Sequence, residues 1–412
     1  MKETVFTVEA TPIVYGQGAA AETGFHLARL GVTKALIISD PYIADLGITQ
    51  QVRDAIGERD VATDVYTQAR VEPNETSMLE AIAYAREGGY DGFVGVGGGS
   101  SIDTAKVAAL FATHGGELLD YINKPIGQAK APPGPLLPLV AVPTTAGTGS
   151  EATSVAIIDF PRLGVKTGIS HRYMRPRVGI VDPLLLRETP SAVAASCGLD
   201  VVCHAVESFT ARGFDTRESV GPDERPPYQG SNPVADMWST KAIENGGKYL
   251  RRAVADPNDI EAHSAMMLAA TMAGVGFGNA GVHVPHACAY PIASLKHEWV
   301  PAGYPTDHAF IPHGFSVTVT APASFRFTHE AAPERHTEAA MLLSGGKSDD
   351  LAESMEELMR DVGAPLTLTE LGYSESDIPT LVDGALKQQR LLVIAPREPQ
   401  AEDLASVFKA SL

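Results

Sequence analysis

Cysteine, long apolar runs and basic residues are all scarce in this chain of 412 residues. Only three cysteines occur (Cys197, Cys203 and Cys288), so there is no disulfide framework, and no two of them have CxxC spacing. No apolar run approaches the roughly eighteen residues of a membrane-spanning helix, so no membrane partner is expected. Lys and Arg total 32 against 50 Asp and Glu, and the formal charge of −18 disfavours binding to nucleic acid.

The composition is that of a core-forming globular protein, with 44% hydrophobic and 20% charged residues. The N-terminal stretch MKETVFTVEATPIVYG alternates like a β-strand and matches neither a secretory signal nor an organelle presequence. Together with the low cysteine content, this pattern predicts a bacterial-type, cytoplasmic protein.

The chain changes texture near residue 187. Before it, short apolar runs such as ALIISD (35–40), FVGVGGG (93–99) and LVAVPTT (139–145) alternate with helical patterns, which predicts a parallel, doubly wound sheet. After it, Ala-, Leu- and Met-rich helical patterns dominate. We therefore expect an α/β domain over 1–187 and an all-helical domain over 188–412, with a long irregular loop at 211–233.

Two loops have the composition of a nucleotide site. GVGGGSSIDTAK follows an apolar strand and enters a helix, whose N-terminal N–H groups suit a pyrophosphate, although a tight strand–helix turn explains the glycines equally well. PTTAGTGSEAT follows another strand and offers hydroxyl groups. Asp40 ends ALIISD, where a carboxylate can accept hydrogen bonds from an adenosine ribose or simply terminate a strand.

Asp200 and His204 lie four residues apart in GLDVVCHAVES, on one face of an apolar helical pattern. A buried charge there needs a salt bridge, a solvent-filled cleft or a metal ion. Five of the twelve histidines fall between residues 283 and 313: His283, His286, His297, His308 and His313. One carboxylate and several imidazoles can bind a divalent cation, while a lone histidine on an apolar helix is more often a satisfied core residue.

The motifs GGGSSIDTAK, PTTAGTGSE, the DxxxH of GLDVVCHAVES and the PHG at 312–314 occur in this order. The set resembles the iron-containing alcohol dehydrogenase family over essentially the whole chain. The resemblance implies an N-terminal dinucleotide-binding domain and a C-terminal helical domain, with the active site in the cleft between them. It also implies NAD and one Fe2+ or Zn2+ ion, which acts as a Lewis acid on the alcohol oxygen while hydride passes to the nicotinamide.

The resemblance also implies particular residues. HACAYPIA (286–293) fits the family's metal-binding frame, with Tyr290 where a second histidine usually stands, so His283 is the extra histidine. The implied metal ligands are Asp200, His204, His286 and His313, and the proton relay is assigned to Tyr290 or His283. NAD is expected rather than NADP, because a carboxylate at Asp40 repels a 2′-phosphate. The implied cofactor-binding residues are Asp40, Asn74, Gly97, Gly98, Gly99, Ser100, Asp103, Thr144, Thr145, Thr148 and Lys166.

Further stretches, including NAGVHVPHACAYPI and APREPQAEDLASVF, resemble the hydroxyacid–oxoacid transhydrogenase branch of that family. This branch transfers hydride from 4-hydroxybutyrate to 2-oxoglutarate with a cofactor that stays bound. The alternatives are an ordinary NAD-dependent alcohol dehydrogenase, a metal-dependent lyase of the dehydroquinate synthase type and a non-catalytic binding module. A small-molecule alcohol, hydroxy acid or aldehyde substrate and a homodimer or higher homo-oligomer are expected. A hydroxy acid needs a cationic partner, for which the candidates are Lys296, Arg326 and Arg252.

Overall fold

The structure, a computed structural model, describes residues 1–295, 298–306 and 308–412. These residues divide into two compact units. One runs from Ala10 to Thr189, and the other combines Met1–Glu9 with Pro190–Leu412. The predicted first domain, 1–187, therefore differs from the first unit mainly at its beginning, because the nine N-terminal residues lie with the helical unit.

Long-range hydrogen bonds hold the N-terminal segment there. The Thr7 backbone N–H donates to the side chain of Gln229, 222 residues away, at 3.0 Å. The Glu9 N–H donates to Asn279 Oδ1, 270 residues away, at 2.8 Å. Strand-like alternation in the sequence does not reveal such partners, since it describes only the local conformation.

The strands of the structure all lie in the first unit. They are β1 (Ile13–Tyr15), β2 (Lys34–Ile38), β3 (Ala62–Tyr66), β4 (Gly92–Gly97), β5 (Leu139–Pro143), β6 (Val155–Phe160), β7 (Val165–Ser170) and β8 (Val178–Val181). Six of them form one sheet in the order β1-β8-β5-β4-β2-β3, and every pairing in it is parallel. β6 and β7 form a separate antiparallel hairpin. The predicted parallel, doubly wound sheet is confirmed.

The central strands β2, β4, β5 and β8 are buried on both faces, which explains why they read as continuous apolar runs. In β2, Leu36 and Ile38 contribute to one apolar core and Ala35 and Ile37 to another. The helices of this unit are α1 (Thr23–Arg29), α2 (Pro41–Asp45), α3 (Ile48–Gly57), α4 (Glu75–Glu87), α5 (Gly99–His114) and α6 (Leu118–Tyr121).

The second unit is helical in its described residues. Its helices are α7 (Ser191–Thr210), α8 (Pro233–Ala255), α9 (Ile260–Ala280), α10 (Val284–Leu295), α11 (His313–Thr318), α12 (Ala321–His329), α13 (Pro333–Ser344), α14 (Leu351–Asp361), α15 (Ile378–Leu386), α16 (Gln389–Leu392) and α17 (Ala401–Ala410). The irregular stretch predicted near 211–233 connects α7 to α8 and contains only short 3-10 turns.

α7 is the central helix of this unit and packs against α8, α9 and α11. By length and composition α7 could span a membrane, but 83% of its most apolar 18-residue stretch is buried inside the structure. A helix that is apolar all round is expected where neighbouring helices cover it on every side. The polar side chains in the second half of α7, including Asp200, His204 and Glu207, are accordingly buried.

Candidate functional site

α7 carries Asp200 and His204 one helical turn apart. Both are buried, with 2% and 4% of their surface exposed. His204 Nδ1 lies 3.7 Å from Asp200 Oδ2. The ring of His204 stacks on Phe277 of α9, with ring centroids 4.0 Å apart and an angle of 9° between the rings. This packing fixes the imidazole beside the carboxylate.

α10 brings a second imidazole to the same place. α9 ends before Gly281, whose φ of 105° favours glycine, and α10 leaves at 104° to α9. The ring of His286 thereby stacks on His204, with centroids 4.5 Å apart. His286 Nε2 lies 3.4 Å from Asp200 Oδ1. The bend between the two helices is what positions His286.

His313 begins α11 and is positioned by a close approach of α11 to α7. A Cβ atom at Gly314 would overlap the Ser196 carbonyl oxygen of α7, so the glycine of the PHG motif permits this approach. His313 Nε2 lies 3.8 Å from Asp200 Oδ1. The ligand atoms of all four side chains lie within 4.8 Å of one another. The structure thus brings together the four residues that the sequence resemblance implied.

Within the described part of the chain, Asp200 Oδ1, His204 Nδ1 and His286 Nε2 are buried without a hydrogen-bond partner. Their separations exceed the roughly 2.7–2.9 Å of a charge-assisted hydrogen bond. Buried polar atoms normally have partners. One carboxylate and three imidazoles whose ligand atoms lie within 4.8 Å of one another fit a divalent cation such as Fe2+ or Zn2+.

The electrostatics of the cluster favour a cation. Burial raises the pKa of Asp200, but His204, His313 and His286 lower it by more, so the pKa lies well below its usual range. Burial lowers the pKa of His204 to about 3. Burial also lowers the pKa of His286, but the carboxylates of Glu207 and Asp200 outweigh it and raise this pKa to about 9. Asp200 is therefore ionised and His204 neutral inside the protein, which are the forms in which these side chains bind a divalent cation.

Glu207 is a residue of this site that the sequence reasoning missed. It lies on α7 three residues after His204 and is fully buried. Its Oε1 accepts the backbone N–H groups of His283, at 2.8 Å, and of His286, at 3.2 Å, and its Oε2 hydrogen-bonds His286 Nδ1. This bond leaves Nε2 of His286 directed at the cluster. Asp200, His204 and Glu207 have the spacing i, i+4, i+7, which is a signal for one helix face.

The two candidate relay residues occupy different places. His283 is fully buried, its Nε2 hydrogen-bonds Thr210 Oγ1 at 3.0 Å, and burial lowers its pKa to about 4. Its Nδ1 lies 4.0 Å from Glu207 Oε1, so it lies next to Glu207 rather than in the four-residue cluster. Tyr290, one turn after His286 on α10, has its ring 6.4 Å from that of His313.

Several other residues considered from the sequence lie elsewhere. Arg252 pairs with Asp259 and Glu261, and Arg326 pairs with Glu356, so both charges are neutralised in exposed ion pairs. Lys296 and His297 lie outside the described residues. His308 contacts Thr306 and is not in the cluster. The three cysteines are free thiols; Cys203 and Cys288 are buried, whereas Cys197 is partly exposed.

The first unit contains the predicted cofactor loops. β2 pairs in parallel with β3 on one side and with β4 on the other. The strand order therefore reverses at β2, because β3 is added on one side of it and β4 on the opposite side. A ligand of such a sheet binds outside the carboxyl ends of the strands where the order reverses. Asp40 lies two residues after the end of β2. The glycines 97–99 connect the end of β4 to the start of α5, so Asp40 and these glycines lie at that edge of the sheet. No side chain caps the N-terminus of α5, whose N–H groups suit an anion.

Gly97 and Asp40 are in close contact at this edge. Gly97 has a φ of 145°, and a Cβ there would lie 2.5 Å from Ser101 Oγ and 3.1 Å from Asp40 Oδ2. Asp40 Oδ1 accepts the Ile43 N–H at 3.0 Å as the N-cap of α2, and Oδ2 accepts from Ser101 Oγ at 3.1 Å. Both oxygens already have one partner, and each retains a lone pair for a further donor.

A buried polar network joins α5 to the second loop. Asp103 Oδ1 accepts from Ser150 Oγ at 2.5 Å, and its Oδ2 accepts the Ile157 N–H at 2.9 Å. Lys106, which the sequence reasoning did not single out, donates to Ser150 Oγ at 2.6 Å, and burial lowers its pKa to about 8. Asp103 therefore binds this loop to α5.

The remaining predicted cofactor residues lie around these elements. Asn74 caps α4 by accepting the Ser77 N–H at 2.9 Å, and the hydroxyl of Ser100 accepts the Glu72 N–H at 3.2 Å. Lys166, on β7, forms an ion pair with Glu72. The residues of the threonine-rich loop follow β5: Thr144, Thr145 and Thr148. Thr148 accepts the Ser150 N–H at 3.2 Å, and Thr145 lies beside Gly98.

Comparisons with known proteins agree with this arrangement. A model of the iron-containing alcohol dehydrogenase family matches residues 10–183, and a model of its C-terminal region matches residues 228–412. The chain is 44% identical over 418 residues to the mitochondrial hydroxyacid-oxoacid transhydrogenase of Rattus norvegicus, covering 99% of this chain and 90% of the relative.

Solved structures give the same result for the fold. A 1,3-propanediol oxidoreductase is 28% identical with a TM-score of 0.85, over 99% of this chain and 100% of that one. The sulfoacetaldehyde reductase of Bifidobacterium kashiwanohense, solved in complex with NAD+, is 28% identical with a TM-score of 0.82, over 99% of each chain.

One prediction from the sequence is wrong. The chain was expected to be a cytoplasmic protein, but the rat relative is named as mitochondrial, and so are the relatives from mouse and cattle. The expectation depended on where the sequence begins, and this position carries no information about the compartment.

Proposed function

The chain belongs to the iron-containing alcohol dehydrogenase family of oxidoreductases, and on this premise we propose that it is a hydroxyacid–oxoacid transhydrogenase. It transfers hydride from 4-hydroxybutyrate to 2-oxoglutarate through an NAD that stays bound, and the products are succinic semialdehyde and 2-hydroxyglutarate. The identity to the rat transhydrogenase over 99% of this chain supports the assignment. The observation that carries the redox chemistry is the buried four-residue cluster around Asp200.

The metal ligands in this proposal are Asp200, His204, His286 and His313, and the metal is Fe2+ or Zn2+. When bound, such a cation supplies Lewis acidity that favours the alkoxide form of an alcohol. The chain's part is to hold four donor atoms at one point in a buried setting. Glu207 accepts a hydrogen bond from Nδ1 of His286 and so keeps the proton on that nitrogen. The lone pair of Nε2 is then available to the metal ion.

The cofactor in this proposal is NAD, held by the loops at the carboxyl edge of the sheet. The proposed contacts are Asp40, Asn74, Gly97, Gly98, Gly99, Ser100, Asp103, Thr144, Thr145, Thr148 and Lys166. The uncapped N-terminus of α5 supports a pyrophosphate site. The negative charge of Asp40 supports NAD over NADP, because it repels a 2′-phosphate.

We place the proton relay at Tyr290 rather than His283. Tyr290 lies beside His313. His283 is fully buried, and its Nε2 already hydrogen-bonds Thr210. In the same proposal the protein is a homodimer or a higher homo-oligomer, as expected from the family.

A labelled hydride tests the function. The enzyme is purified, dialysed without nicotinamide and mixed with 4-hydroxybutyrate deuterated at C4 and with 2-oxoglutarate. We expect deuterium at C2 of 2-hydroxyglutarate without added NAD, at a rate that added NAD does not raise. If turnover instead requires added NAD and releases deuterated NADH, the protein is an ordinary alcohol dehydrogenase.

A further inference from the structure

A guanidinium group lies next to the proposed metal site without a carboxylate partner. Arg390, on α16, donates from Nη2 to the hydroxyl of Tyr290 at 3.0 Å. Its guanidinium carbon lies 5.5 Å from the ring centroid of Tyr228, in the irregular stretch between α7 and α8. Among the described residues no carboxylate pairs with Arg390, in contrast to Arg252 and Arg326.

The position of Arg390 relates it to the site. Tyr290 is one helical turn from His286 on α10, and its ring lies 6.4 Å from that of His313 at an angle of 25°. The hydroxyl of the same tyrosine accepts the hydrogen bond from Arg390. One side chain therefore contacts both a proposed metal ligand and the guanidinium. Arg390 is half-buried, and its charge is paired with no carboxylate among the described residues.

We propose that Arg390 is the carboxylate-binding residue for both substrates of the proposed transhydrogenase reaction. Planar guanidinium groups bind carboxylates through two parallel hydrogen bonds. A partly buried guanidinium whose neighbours are two tyrosines, rather than an acid, retains its full charge for such a ligand. The inference names the group that recognises the substrate and rests on the proposed function.

The chemistry of the two substrates fits a single anion site. In 4-hydroxybutyrate two methylene groups separate the carbinol carbon from the carboxylate. In 2-oxoglutarate two methylene groups likewise separate the keto carbon from the distal carboxylate. A guanidinium at a fixed distance from the reacting carbon therefore suits the hydride donor and the hydride acceptor equally. If one site binds the two substrates alternately, the distance from the reacting carbon to the carboxylate must be the same in both.

Two variants of Arg390 test the inference, with Arg326→Gln as the control that removes a surface arginine. For Arg390→Gln we expect KM for 4-hydroxybutyrate and for 2-oxoglutarate to rise by roughly 10- to 150-fold, the equivalent of one charged hydrogen bond. For 1-butanol, which has no carboxylate, KM should stay within about twofold of the wild type, while any loss of kcat through the hydrogen bond to Tyr290 should be the same for both alcohols. Arg390→Lys should recover part of the loss, and Arg326→Gln should behave like the wild type.

The chain-length preference gives a second readout. The wild type should prefer 4-hydroxybutyrate over 3-hydroxypropionate and 5-hydroxyvalerate, and Arg390→Gln should lose this preference. An equal rise of KM for 1-butanol and for 4-hydroxybutyrate would show a structural effect and overturn the inference, and so would unchanged KM values.

Binding of butyrate, measured by calorimetry, separates this inference from the proposed function. If the wild type needs added NAD, the transhydrogenase proposal fails, yet loss of butyrate binding in Arg390→Gln alone still supports the anion site. If the wild type performs the transhydrogenation and Arg390→Gln binds butyrate as tightly as Arg326→Gln does, the function stands and the carboxylate site is elsewhere.

Discussion

At the scale of single residues, the sequence indicates the side chains proposed as metal ligands but not the residue that orients them. Asp200 and His204 are recognisable because their spacing places them on one helix face. Glu207 stands on the same face, but its partners are His283 and His286, 76 and 79 residues later. Such contacts depend on how α7 and α10 pack, which no local pattern specifies. The same holds for Arg390 and Tyr290, which are 100 residues apart.

The first prediction compares His286 of α10 with His283, which lies one residue before that helix. His286→Ala should lose the metal and the activity, because it removes one of four proposed donors. His283→Ala should retain the metal, because that side chain hydrogen-bonds Thr210 and lies outside the cluster. Elemental analysis of both purified variants measures this difference. The ligand assignment is wrong if His283→Ala loses the metal while His286→Ala keeps it.

The role of Glu207 gives a second prediction. Glu207→Gln keeps the size of the side chain but removes the negative charge beside His286 Nδ1. We expect metal affinity to fall by roughly 10- to 100-fold, as is typical when a residue that orients a metal ligand is replaced. Competition with a chromophoric chelator measures the affinity, and the surface variant Glu356→Gln serves as the control. Equal affinities in the two variants would contradict the orienting role.

At the scale of elements, the turn from β4 into α5 links sequence most directly to structure. The run GVGGGSS predicted a strand–helix turn, and the structure has that turn at the edge where the strand order reverses. What the sequence did not predict is why Gly97, the first of the three consecutive glycines, is required. Gly97 combines a φ of 145° with a position against Ser101 and Asp40, and both follow from the packing of β4 beside β2.

Gly97→Ala should therefore weaken cofactor binding. The added Cβ would lie 2.5 Å from Ser101 Oγ, and the backbone conformation is strained for alanine. Such strain costs roughly 1–3 kcal/mol, equivalent to about a 5- to 150-fold loss of affinity if the loop must shift. Fluorescence titration with NADH measures the change. Gly57→Ala is the matched control, because a Cβ at Gly57 in α3 has nothing within 4 Å. Wild-type affinity in Gly97→Ala would place the cofactor elsewhere.

At the scale of the whole molecule, the residues proposed to bind the metal and those proposed to bind the cofactor belong to different units. The proposed metal donors all lie in the unit that contains Pro190–Leu412, and the proposed cofactor contacts all lie in Ala10–Thr189. The same assignment is expected from the sequence, since the glycine loops precede residue 187 and His204, His286 and His313 follow it. The N-terminal segment Met1–Glu9 lies with the helical unit, because its partners Gln229 and Asn279 are distant in the chain.

Hydrogen–deuterium exchange should therefore respond to each ligand in a different part of the chain. A ligand that binds only the folded state stabilises it by RT ln(1 + [L]/Kd), about 2.7 kcal/mol at one hundred times Kd. Removing the metal with a chelator should raise exchange in α7 and α10, because the buried carboxylates of Asp200 and Glu207 lose their compensating charge. Adding NAD to cofactor-free protein should lower exchange at the β4–α5 turn and in the loop after β5.

Mass spectrometry of peptides from 191–210, 284–295 and 92–114 distinguishes the two responses. If chelation instead raised exchange only in peptides from 92–114, the metal would not be held by the Asp200 cluster.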